Sequence, residues 1–239
     1  MPITTDQLLH IHMPKTGGLW VGRVLLAAGG TKVAGLRRHD PHNAVPDEVR
    51  EGRLVFGTIR DPWSWYLSFW RHLRVGRDGQ MLLRQLGRGD QNFGPFLRGA
   101  TDPGVWCRMP DSLTSGWWDW PVGGDGLYTE TFRAIYGEGG HGVDALIDTA
   151  QLTVGLSELL GIDVSGFPIQ NRAADRERDS IRHPHRMYEI TQGAEKVVRK
   201  YDGEMAHALG YDGPFSQLRS PIRWAHDSEL PARWRSVNR

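Results

Sequence analysis

The sequence predicts an α/β fold, a three-layer sandwich with a central parallel sheet. Short apolar runs alternate with segments of helical period, and two of those runs end in a polar turn that opens a helix. With 239 residues and 39% hydrophobic content, the chain can bury one large core. The reading is a single domain over residues 1–218, followed by an extended tail at 219–239.

Residues 7–12 form the first predicted strand, mostly apolar and stopped by Pro14. Trp20, Val21, Val24, Leu25 and Ala28 then recur at helical spacing until Gly29 and Gly30 end the run. A second short strand is predicted at 32–35, a polar loop at 37–43 and a brief helix beginning near Pro46. Residues 54–59 make the third strand. Asp61 then offers an N-cap and Pro62 the first helical position, with Trp63, Tyr66, Leu67, Trp70 and Leu73 on the apolar face. Both turns fall at the carboxyl ends of strands, where open α/β sheets hold their ligands. From about 76 to 142 the pattern weakens into Gly- and Pro-rich stretches around a short helix or two. Trp106, Trp117, Trp118 and Trp120 in that segment suit core packing or an acceptor pocket. A helix over about 186–209 carries Ile190, Ala194, Val197, Val198, Tyr201, Met205 and Leu209 on one stripe and stops at Gly210. It is expected to close the sheet.

Composition narrows the function classes. The net charge is +1 and the basic residues, mostly arginine, are scattered rather than blocked, which gives nucleic-acid binding little support. The single cysteine, Cys107, leaves no internal disulfide and no cysteine-rich zinc site, and reads as inert packing. The first motif begins at Pro14, leaving no room for a signal peptide, and no run approaches about 18 apolar residues. A cytoplasmic protein is expected.

The chemistry concentrates in two turns. His12-Met13-Pro14-Lys15-Thr16-Gly17-Gly18-Leu19-Trp20 places a lysine, a hydroxyl and two glycines between a strand and a helix. Glycines let the backbone approach an anion closely, the first N–H groups of a helix point at it, and the lysine adds a full charge. The order differs from the nucleotide-triphosphate P-loop, in which the lysine follows the last glycine. The second turn, Arg60-Asp61-Pro62-Trp63-Ser64-Trp65-Tyr66-Leu67-Ser68, lets Arg60 and Ser68 converge on another phosphate. Two grips imply a ligand with two separated anionic groups.

Together these motifs resemble sulfotransferases that use 3′-phosphoadenosine 5′-phosphosulfate. Pro14-Lys15-Thr16-Gly17-Gly18 is similar to that family's 5′-phosphosulfate loop, and Arg60-Asp61-Pro62 with Ser68 to its 3′-phosphate element. The run from Thr58 to His72 is most similar to the heparan sulfate 6-O-sulfotransferase branch and its bacterial relatives. Pro168-Ile169-Gln170-Asn171-Arg172 resembles the family's C-terminal segment. The likeness covers about 8–75 and 156–213. It implies the P-loop-like sulfotransferase fold, the phosphosulfate as donor, adenosine 3′,5′-bisphosphate as product, a small-molecule or carbohydrate acceptor and no metal.

The resemblance also implies roles. Lys15 would stabilise charge on the bridging oxygen, and Thr16, Gly17 and Gly18 would hold the 5′-phosphate by hydroxyl and backbone N–H. Leu19 stands where the family usually carries a hydroxyl residue. Arg60 and Ser68 would bind the 3′-phosphate, Trp20 would stack on adenine, and Asn171 and Arg172 would close over the cofactor phosphate. Trp65 stands where many relatives have an arginine. A base must take the acceptor's proton, and histidine suits neutral pH. His39, followed by Asp40-Pro41, matches the context of the family's histidine and is the first choice; His42 is the alternative. His12 reads as support for the loop. Two other readings fit the same residues: a kinase-like phosphoryl-transfer enzyme, and a catalytically silent nucleotide-binding module.

Overall fold

The computed structural model describes residues 1–74, 77–102, 105, 124–168 and 192–225. The chain is α/β, with a mixed, open six-stranded sheet and eight α-helices among the described residues. It divides into two compact units, one of Met1–Arg60, Phe132–Phe167 and Gln217–Arg239, the other of Asp61–Thr131 and Pro168–Ser216.

The first unit holds the sheet. Its strands are β1 (Ile3–Thr4), β2 (Leu8–Ile11), β3 (Thr31–Lys32), β4 (Leu54–Ile59), β5 (Ala145–Asp148) and β6 (Ile222–Trp224), in the order β3-β1-β2-β4-β5-β6. Only the inner three are parallel: Leu8 pairs with Leu54 and Phe56 with Ala145. The expected parallel sheet is therefore a parallel centre with antiparallel edges. β1 turns back onto β2 through a short connection, which an antiparallel pair permits and a parallel pair does not. β6, inside the segment expected to be a tail, pairs with β5. β3 lies at 31–32 rather than 32–35.

Six consecutive residues of β4 are buried, the pattern of a strand covered on both faces. On one face Leu8, Leu54, Phe56, Ala145 and Ile147 pack with α1 (Gly18–Ala27) through Val21, Val24 and Leu25, and with the helix Leu152–Leu160 through Leu156 and Leu159. On the other, the Tyr136 ring lies where a Cβ on Gly57 would meet it at 2.5 Å. Gly57 is thus required by the ring above it. After α1, Gly29 (φ 86°) takes the left-handed turn that ends the helix, and Gly30 donates to the Leu25 carbonyl.

The second unit is helical. α2 (Asp47–Arg50) is a single turn of the first unit; here lie α3 (Pro62–Leu73), α4 (Arg77–Leu86), α5 (Phe93–Thr101), the first half of α6 (Leu127–Tyr136) and α8 (Gln192–Leu209), with α7 being the helix Leu152–Leu160. The segment expected to be irregular around one or two short helices therefore contains α4, α5 and α6 among its described residues. The late helix packs with α3 and α5 of its own unit. Trp65 is fully buried, stacked on Phe69 at 5.2 Å and edge-on to Tyr128 at 5.6 Å. Its place on α3 is an aromatic core position.

Candidate functional site

β2 and β4 are adjacent parallel strands, and the turn beyond each carries one of the predicted cations. The turn beyond β2 is held by its own buried polar groups. Tyr136 places its hydroxyl between the strand ends: it accepts from the N–H of Met13 (3.2 Å) and of Thr58 (3.0 Å) and donates to the Thr58 carbonyl (2.9 Å). Thr16, fully buried, donates its hydroxyl to the Met13 carbonyl, with the Thr58 hydroxyl also at 2.7 Å. The Thr149 hydroxyl reaches the carbonyls of Ile59 (2.6 Å) and Thr16 (3.2 Å). Sequence reasoning missed Tyr136, Thr58 and Thr149, because isolated hydroxyls far apart in the chain leave no periodic signal.

This clamp corrects one expectation. The Thr16 hydroxyl is turned inward and spent on closing the turn, since a buried hydroxyl must find partners inside. What Thr16 can offer an anion is its backbone N–H.

Lys15 adopts φ 68°, a left-handed conformation uncommon for a residue with a Cβ. Gly17 follows at φ 82° as the N-cap of α1, with no side-chain cap, and no acidic residue lies in the first turn. The first bonds of the helix run from Trp20 and Val21 to the Gly17 carbonyl, so the N–H groups of Gly18 and Leu19 fall ahead of them. Lys15 has its pKa lowered to about 8, first by burial and then by the charge of Arg60, and it stays protonated at neutral pH. The two cations therefore share one neighbourhood. A helix start that lacks a carboxylate and carries two added cations is an anion-binding arrangement.

The other predicted residues fall as follows. Leu19 is 58% exposed beside the helix start. Trp20, expected against an adenine, is only 7% exposed and packs in the core, its indole N–H directed at the Phe167 carbonyl at 3.4 Å. It occupies the apolar stripe of α1, and that stripe faces the sheet. Ser68 is half-buried on α3 in the second unit, whose first turn is capped by Asp61 accepting from the Ser64 N–H at 3.0 Å. Asn171, Arg172, Cys107 and the four tryptophans of the middle segment lie outside the described residues.

The two loop histidines are distinguished by their partners. His39 sits in a turn closed by Asp40, whose carboxylate accepts from the Arg37 N–H at 2.7 Å. Its Nδ1 lies 3.2 Å from the His12 carbonyl. A carbonyl only accepts, so Nδ1 carries the proton and Nε2 the lone pair. Burial, partly offset by that hydrogen bond, lowers its pKa to about 4 and keeps the ring neutral. His42 also uses Nδ1, 3.2 Å from the Ile135 carbonyl, and its ring fills the space a Cβ on Gly142 would need. Arg50 donates to the His42 and Gly142 carbonyls. His42 thus fastens the loop to the end of α6, whereas His39 lies against the strand that leads to Lys15.

Among the described residues no group of three or more His, Cys, Asp or Glu is arranged to hold a metal ion, and no helix is long and apolar enough to cross a membrane. Compared with models of protein families, with curated proteins and with solved structures, the chain matches none of them.

Proposed function

We propose that this chain is a sulfotransferase that moves a sulfuryl group from 3′-phosphoadenosine 5′-phosphosulfate to a hydroxyl of a small-molecule or glycan acceptor, on a P-loop-like sulfotransferase fold. The observation that carries the reading is the pair Lys15 and Arg60, at the ends of adjacent parallel strands, beside a helix start with no carboxylate. The lysine-first order of the loop and the eight-residue step from Arg60 to Ser68 add the resemblance to that family.

In this reading the N–H groups of the turn and of Gly18 hold the 5′-phosphate, and Arg60 takes the 3′-phosphate as a bidentate donor. Ser68 is assigned to the same phosphate on its sequence spacing. The acceptor hydroxyl gives its proton to His39 Nε2 as its oxygen bonds to sulfur, and the bond from sulfur to the bridging phosphate oxygen breaks. Lys15 stabilises the negative charge left on that oxygen. The negative donor beside the loop favours the imidazolium as the proton arrives. Magnesium-dependent phosphoryl transfer is less well served: the acid that ends β5, Asp148, accepts from the N–H groups of Ala150 (3.1 Å) and Leu218 (2.8 Å).

Calorimetry with adenosine 3′,5′-bisphosphate and with AMP tests the donor assignment. The bisphosphate is expected to bind at least ~10-fold tighter, the worth of one hydrogen bond to a charged group. Equal affinity overturns the 3′-phosphate site. Transfer of labelled sulfate from the donor to a panel of phenols, alcohols and sugars tests the reaction, and a chain that does not bind the donor is not this enzyme. His39→Ala is expected to lower turnover ~10²–10⁴-fold while bisphosphate affinity is kept.

A further inference from the structure

Three histidine rings line up on one side of the sheet, from its interior to the loop. His10 and His12 are two apart on β2 and just beyond it, so they share a face. Their ring centroids are 6.0 Å apart, and His12 lies 4.7 Å from His39 at an interplanar angle of 44°. The Cδ2–Nε2 edge of the His12 ring meets α1: a Cβ on Gly18 would stand 2.0 Å from its Cδ2 and 2.4 Å from its Nε2. Gly18 lacks a side chain where the imidazole needs the space. His12 is 7% exposed and touches both the base and the first residue of the anion-binding helix.

From this we infer that His12 is a positioning residue: its neutral ring is the spacer that sets His39 against the start of α1, while its carbonyl fixes the His39 tautomer. This rests on the sulfotransferase reading for its catalytic consequence, but not for its geometry. Neutrality belongs to the role, because an imidazolium set against a helix N-terminus would face the positive end of its dipole. The charged groups around the pair are Arg38, Asp40 and the N-terminal amine, with His10 on the inner side. Burial holds all three rings below the ordinary histidine range.

NMR of histidine ring carbons and nitrogens in the full chain reads the role without any assay of turnover. In His12→Ala, His39 loses the wall beside it while the backbone carbonyl at position 12 remains, and its titration is expected to move from near 4 toward ~6.5. His12→Phe restores a flat ring that cannot titrate, and His39 is expected to keep its low titration. A His39 titration unchanged in His12→Ala overturns the inference, as does a His12→Phe protein in which His39 behaves as in His12→Ala. If His12→Ala does not fold, Gly18→Ala provides the same displacement from the helix side, and an unmoved His39 there is equally fatal. Where transfer is observed, His12→Ala should lose on the order of 10²-fold in kcat with little change in donor KM, the mark of a misplaced base. A loss confined to KM would count against a positioning role. If no transfer occurs, the NMR arms still decide the placement of His39, and the reaction alone is lost.

Discussion

At the start of α6 three hydrogen bonds converge on the buried carboxylate of Asp202, whereas α1 begins with a glycine N-cap, no acid in its first turn, and Lys15 just ahead. Asp202 Oδ1 accepts from the Thr129 N–H (2.9 Å) and hydroxyl (2.7 Å), and Oδ2 from the Tyr66 hydroxyl (2.7 Å). Tyr66 in turn accepts from the Tyr128 N–H at 3.1 Å, so N–H groups at the start of α6 are satisfied by α3 and α8. Gly126 makes room, since a Cβ there would meet that carboxylate at 2.2 Å. α3 is served likewise by Asp61, which also accepts from the Phe215 N–H at 3.1 Å. A helix start neutralised by the chain's own carboxylate is a structural joint. One supplied only with positive charge is arranged for an anion from outside.

Moving charge at each helix start should therefore have different consequences. The largest effect on binding is expected from Lys15→Ala, which removes a charge-assisted contact: bisphosphate affinity should fall about 10- to 150-fold by calorimetry, with the fold intact by circular dichroism. Retained affinity would show that the α1 start is no anion site. Next comes Asp202→Ala, which leaves the Thr129 and Tyr66 donors buried without their acceptor and should cost about 3 kcal/mol in urea unfolding. A loss below about 1 kcal/mol would mean that water or a rearranged Thr129 replaces the carboxylate.

Acid should separate the two regions by sign. Asp202 has its pKa raised to about 6 by burial, against an ordinary 3.8, so its protonation favours the folded state as pH falls from about 6 to 3.8. His10 and His39, lowered to about 3 and about 4, act oppositely: below about 6.5 the unfolded chain takes up protons that the folded one refuses. Unfolding free energy is therefore expected to fall below pH 6.5. His10→Phe should make that fall shallower, by up to about 1.4 kcal/mol per pH unit, and Asp202→Asn should make it steeper. Identical slopes in both variants would contradict the assignment. The smallest change is Leu19→Thr. A hydroxyl added at the exposed start of α1 should tighten bisphosphate binding about twofold to tenfold, and no gain would place the anion away from Leu19.

Local signals made part of this legible. β4 was readable from its run of six apolar or small residues, and the start of α3 from Asp61-Pro62, because a cap and a proline act within one turn. β5 and α7, which follow one another at 145–160, lie outside the elements that the sequence predicts. Asp148 at the end of β5 is likewise unmarked in the sequence, although it holds Leu218 and so the approach to β6. Trp20 and Trp65 illustrate the other limit. A tryptophan on an amphipathic helix looks the same in sequence whether it faces a ligand or the core, and both are core.

The α/β class, strands β2 and β4, the position of the lysine-first turn and the identity of two cations and two loop histidines are legible in the sequence, since each depends on residues near in the chain. Which groups are available depends on contacts made in the folded chain. The fold turns the Thr16 hydroxyl inward, sets Tyr136 across the ends of β2 and β4, binds His39 to the carbonyl of His12 and gives α6 the carboxylate of Asp202. Buried polar groups must be satisfied wherever a partner can be brought, and apart from Met13, three residues from Thr16, those partners lie 27 to 123 residues away in the chain.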